Sequence, residues 1–132
     1  DLIIDVMTTA LASDEVLVEV VVPQMTAGGS WGHYKLTRKP GKFADAISVV
    51  VSDRERCHHR VAIARPSAPP RLMERAGSAI EAATGWSESL DRDIRAMVVE
   101  DLAAEPSPDP DPVQRRYHMV TVARAARQAL VS

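Results

Sequence analysis

The sequence predicts an α+β domain: an antiparallel sheet of three to four strands, followed by three helices packed on one face of it. Two patterns predict this. The first half carries β-branched residues at every second position, joined by short connections, and the second half carries apolar residues at helical spacing. Short links between successive strands favour antiparallel pairing, because a parallel crossover needs a dozen or more residues. The order, strands first and helices second, sets one sheet against one helical layer, the sheet over about 11–65 and the helices over about 70–131.

Taken in order, Asp14–Pro23 reads as the first strand, with Val16, Val18, Val20 and Val22 on one face and Glu19 on the other. Ala27, Gly28, Gly29 and Ser30 form a connection. Trp31–Thr37 alternates again and ends before a turn at Pro40-Gly41. Asp45–Ser52 is the third strand, Asp53–Glu55 a turn, and Arg60–Ala64 the fourth. Pro66–Pro70 breaks the pattern. Leu72, Met73, Ala76, Ala79, Ile80 and Ala83 then mark a helix that Gly85 stops. Ser87 or Ser89 caps a second helix on the line Leu90, Ile94, Met97 or Val98, and Leu102. Glu105–Pro112 is too rich in proline for helix. A third helix covers about Val113–Val131, with Met119, Val122, Ala126 and Leu130 on one stripe.

Composition narrows the function. The chain has 132 residues, the size of one domain, and is 45% hydrophobic and 26% charged, so it can bury a core. Only 4% is aromatic, which leaves the core to aliphatic residues and methionine. A net charge of −2 argues against nucleic acid as a partner, since that affinity comes from neutralising phosphates. No apolar run reaches the ~18 residues of a membrane span. A single cysteine fits a reducing, cytoplasmic setting. The chain opens on Asp1 without a signal peptide, from which we expect further polypeptide before it, so that this is the C-terminal part of a longer subunit.

Local motifs supply no catalytic set. Cys57, His58 and His59 are adjacent, and neighbours on an extended segment point to opposite faces, so they cannot surround one ion; a buried or half-buried cysteine between strands with solvated histidines is expected. Asp109-Pro110-Asp111 lacks the alternation of a calcium loop, and Gly28-Gly29 lacks the residues of a phosphate loop. His33 and His118 are expected to bond nearby backbone. The distinctive feature is charge: all three lysines, Lys35, Lys39 and Lys42, fall within eight residues together with Arg38 and without an acid among them. Such a cluster can hold a phosphate, a carboxylate or an electron-rich ring carbonyl, or can simply be a solvated hairpin that protects a sheet edge.

Four stretches together carry a resemblance: Leu11–Pro23, Tyr34–Val51, Cys57–Ala64 and Pro69–Arg71. In order and spacing they resemble the C-terminal domain of the FAD-binding medium subunit of molybdenum hydroxylases, the aerobic carbon monoxide dehydrogenases and xanthine dehydrogenases. The resemblance implies an oxidoreductase system. Substrate is oxidised at a molybdenum cofactor on a large subunit, and electrons pass through iron–sulfur clusters on a small subunit to FAD on the medium subunit. It implies N-terminal FAD-binding domains, which hold most of the flavin, as partners in the same subunit. By the same resemblance Lys35 matches the lysine that approaches the flavin ring and Phe43 the aromatic near it, with Arg38 and Lys39 beside them. The isolated domain is then expected to buttress FAD and dock partner subunits, with no catalytic residue or metal ligand of its own. Three features depart from the family pattern: Lys42 in place of Asp, Ala64-Arg65 in place of Gly-Gly, and a last helix that has lost register around Tyr117. They favour an alternative, a free-standing interaction domain that keeps the fold without binding FAD.

Overall fold

The computed structural model describes residues 2–5, 7–65, 68–104 and 111–131. A small hairpin comes first, β1 (Ile3–Asp5) with β2 (Thr8–Thr9). Four strands follow, β3 (Ser30–Leu36), β4 (Ala46–Asp53), β5 (His58–Arg65) and β6 (Ala68–Leu72), then α1 (Glu74–Ala82), α2 (Glu88–Ala103) and α3 (Pro112–Val131). The four strands form one antiparallel sheet in the order β3-β4-β5-β6. The α+β class and the antiparallel sheet are as expected.

The membership of the sheet differs from expectation at both ends. Asp14–Pro23 is not a strand: no backbone hydrogen bond ties residues 16–25 to any described residue. Alternation reports that a segment suits a sheet, but pairing needs an edge to bind to. The fourth place is taken instead by β6, inside the stretch read as a breaker. Its prolines are tolerated because β6 is an edge strand, and Pro69 and Pro70 sit where the register with β5 shifts, between the pairs Arg65↔Ala68 and Ile63↔Arg71.

Alternation in the sheet sorts its two faces. Ala46, Ser48, Val50 and Ser52 of β4 and His59, Val61 and Ile63 of β5 are buried toward the helices. α1 and α3 lie on the sheet, and α2 packs against those two helices as an outer layer. The core joins Val50, Val61 and Ile63 to Met73, Ile80, Ile94, Val98, Leu102 and Val122. Each such fully buried side chain is worth about 1.5–3 kcal/mol relative to exposure. Small residues let α3 sit close on the sheet. A Cβ on Gly32 would stand 1.9 Å from the Ala125 carbonyl oxygen, and Ala125, Ala126 and Ala129 complete the contact. Between these layers Ser48 Oγ and Thr121 Oγ1 share a buried 2.7 Å hydrogen bond.

Helix ends follow their caps. Ser87 accepts from the Leu90 N–H at 3.1 Å at the start of α2. Asp111 accepts from Val113 and Gln114 at 2.8 and 3.0 Å, and Pro112 takes the first helical position, where its missing donor costs nothing. The proline-rich stretch thus ends one residue earlier than expected; residues 105–110 lie outside the described residues. Met73, the residue before α1, supplies no side-chain cap. The buried Asp101 of α2 accepts from Arg75 N–H at 3.1 and 3.2 Å and from Ala76 N–H at 3.2 Å, so one helix caps another. No helix among the described residues is long and apolar enough to cross a membrane.

Candidate functional site

The turn after β3 is built by its own sequence. Pro40 and Gly41 reverse the chain, with Gly41 at φ +76°, a conformation that favours glycine. Across the turn Asp45 N–H donates to the Leu36 carbonyl at 2.9 Å, which returns the chain to β4. Its carboxylate closes the loop on Arg38. It accepts from the Arg38 backbone N–H at 3.0 Å and from Nε at 3.0 Å, and pairs with the outer guanidinium nitrogen at 2.8 Å. That grip holds the Asp45 carboxyl below its ordinary range and raises Arg38 above its own, the Arg38–Asp45 hydrogen bond being the main cause of each.

Arg38, Lys39, Lys42, Phe43 and Asp45 line an open cleft of about 450 Å³. Of the residues singled out in the sequence, the loop brings together Arg38, Lys39 and Phe43. Lys35 lies outside that lining. It is exposed on β3, opposite Ile47, on the sheet face away from the helices, because its neighbour Tyr34 packs into the core. Phe43 is 93% exposed. A lone aromatic ring left in water beside cations covers nothing within this chain.

Asp45 is the residue that sequence reading missed. It lies seven positions after Arg38, across a Pro-Gly turn that brings the two ends of the loop together. Its charge cancels that of Arg38 and leaves three lysines as the positive charge. Among the described residues no ion pair involves Lys35, Lys39 or Lys42.

The other candidates disperse. Cys57 is exposed, not buried or half-buried, in the turn between β4 and β5, at φ +49°. His58 is exposed, but His59 is buried rather than solvated, and its Nδ1 lies 3.1 Å from Ser52 Oγ. His33 donates its backbone N–H to Gln128 Oε1 at 3.0 Å. His118 is buried completely and, against expectation, neither ring nitrogen finds a partner among the described residues. Burial, with Arg65 and Arg71 nearby, pushes it down to about 4.

The face of the sheet that carries Lys35 is uncovered by helices. Its rows run Trp31–Val51–Arg60, His33–Val49–Ala62 and Lys35–Ile47–Ala64. Trp31 is 63% exposed there. The surface is therefore a mixed sheet face, apolar along β4 and carrying Arg60, His33 and Lys35, bordered at one end by a cationic loop with an exposed aromatic.

No family model matches the chain, and no curated protein sequence does. Solved structures do. Carbon monoxide dehydrogenase from Hydrogenophaga pseudoflava, in a form lacking the Mo-pyranopterin moiety of the molybdenum cofactor, matches at TM-score 0.77 and 24% identity over 98% of this chain. The reconstituted enzyme from Oligotropha carboxidovorans matches at 0.74 and 21% over 96%. A cyanide-inactivated Cu,Mo-CO dehydrogenase matches at 0.75 and 21%, also over 96%. The fold is shared with carbon monoxide dehydrogenase chains. This chain spans 46% of the length of each of those chains, and the likeness runs through nearly all of its own length.

Proposed function

We propose that the chain is the C-terminal domain of the FAD-containing medium subunit of a molybdenum hydroxylase of the carbon monoxide dehydrogenase kind. In this reading it buttresses the flavin and docks partner subunits while electrons pass from iron–sulfur clusters to FAD. The supporting observation is the exposed Phe43 set among Arg38, Lys39 and Lys42 beside the bare sheet face, in a fold matched end to end by carbon monoxide dehydrogenase chains.

The residues fit one wall of a flavin site and no more. A site that binds a cofactor alone buries most of its surface, and this cleft is open. A bound flavin supplies one- and two-electron redox chemistry. This chain supplies charge and shielding. Lys35 and Lys39 would supply positive charge toward a flavin held by the rest of the subunit, and such charge would favour the form carrying added electrons. The Arg38–Asp45 pair holds the loop in shape, and the Phe43 ring excludes water from one face.

The test is made on the complete flavin-bearing subunit. Lys35→Met is expected to make the flavin midpoint potential more negative by roughly 20 mV, the two-electron equivalent of about 1 kcal/mol. Phe43→Ala is expected to leave the potential close to unchanged and to raise solvent quenching of flavin fluorescence. A folded subunit that takes up no flavin would contradict the reading and favour an interaction domain without a cofactor.

A further inference from the structure

Residues 16–22 belong to no helix or strand and are exposed, yet they are the most sheet-like stretch of the sequence. Val16, Leu17, Val18, Val20, Val21 and Val22 are between 49% and 88% exposed. Both faces of the segment are apolar, with Glu19 the one exception. A strand with one wet face alternates apolar with polar; a strand covered on both faces reads as a nearly continuous apolar run. Its backbone makes no hydrogen bond to any described residue, so among these residues its donors and acceptors from 16 to 22 have no strand partner. Elsewhere such groups are paired.

The segment also differs from the rest in exposure. Of the sixteen large apolar residues exposed among the described ones, eleven lie within 2–25, whereas the buried apolar residues begin at Ala44. The change comes at Thr26, whose N–H and hydroxyl both donate to the carboxylate of the buried Asp53 at 2.8 Å, just before the Gly28-Gly29 connection. There the chain is pinned to the compact body; before it, β1 touches the edge strand β6 and Val20 lies beside Pro69–Leu72, but no backbone hydrogen bond joins 16–22 to a described strand.

We infer that residues 16–22 form an interior strand of a second β-sheet, whose neighbouring strands come from further polypeptide of the same subunit. The inference rests on the reading of this chain as part of a longer subunit, but not on flavin. The occupant is chosen by three features. The matched carbon monoxide dehydrogenase chains are more than twice as long as the part they share with this one. An apolar run needs strands on both edges and a layer on both faces, which a single added strand does not provide. A second copy is disfavoured by charge: Glu19 is the centre of the segment, so antiparallel self-pairing about it sets Glu19 against Glu19, and like charges directly opposite are destabilising.

The experiment is amide hydrogen exchange, read by mass spectrometry on peptides covering 14–24, in this 132-residue chain and in the polypeptide of the complete reading frame. In the shorter chain these amides are expected to exchange within about tenfold of the unprotected rate, and in the longer one at least ~1,000-fold slower. Val18→Asp is expected to leave the melting temperature of the shorter chain unchanged and to lower that of the longer one. Equal exchange in both overturns the inference, as does a reading frame that adds no polypeptide. Protection that appears in the shorter chain and grows with its concentration overturns it in favour of a second copy. Flavin content is read separately. A longer polypeptide that protects 16–22 but carries no flavin keeps this inference and contradicts the proposed function.

Discussion

Residues 2–25 and the body from Ser30 to Val131 have similar side chains and opposite fates. Both contain runs of valine and isoleucine at strand spacing. In the body Val50 and Val61 are 0% and 1% exposed, while Val18 in the leading segment is 88% exposed. Composition does not separate them; the availability of a partner does. β4 has β3 and β5 on its edges and α3 on its face, whereas 16–22 is paired with no described strand and its valines stay exposed. Apolar patterning states what a segment can become, and only a matching surface decides whether it does.

Breaking the body is expected to have the largest effect. Gly32→Val drives a side chain into the Ala125 carbonyl and the Ala129 backbone, which cannot yield without lifting α3 from the sheet. We expect a loss of about 3 kcal/mol or more in urea unfolding.

Acid is expected to come next. Between about pH 6.5 and 4 the unfolded chain takes a proton on His118 that the folded chain refuses, so stability falls as pH drops through that window. The loss approaches about 3 kcal/mol near pH 4. His118→Leu should flatten this part of a pH–melting curve. Below the ordinary carboxylate range a second decline follows, as Asp53 loses the charge that its bond to the Thr26 N–H holds in place.

A smaller effect sharpens the account of the body's helical layer. Asp101→Ala removes the only carboxylate that caps α1 among the described residues, and is expected to cost about 1–2 kcal/mol by the same measurement. Asp101→Asn, which keeps one acceptor, should cost less.

These sites also show what sequence could and could not convey. The three core strands and three helices were legible because period and caps are local: Ser87 sits at the start of α2, and Leu90, Ile94, Val98 and Leu102 repeat on its buried side. β6 was not, because two prolines argue against a strand until its place at a sheet edge is known. The misreading of 14–23 has the same root, since pairing is a property of two segments. At the candidate site the cation cluster and Phe43 were readable as a run, but the Arg38–Asp45 lock depends on how tightly the turn folds back. Asp101 capping a helix 26 residues earlier leaves no trace in local sequence.

The division of the molecule at Thr26 is tested most directly by shortening the chain to begin at Val22 and comparing its urea unfolding with that of the full 132 residues. The two curves are expected to share their slope and to agree in stability within about 0.5 kcal/mol. A loss of roughly 2 kcal/mol or more, well beyond what a largely exposed segment that touches only the edge strand β6 supplies, would contradict the account.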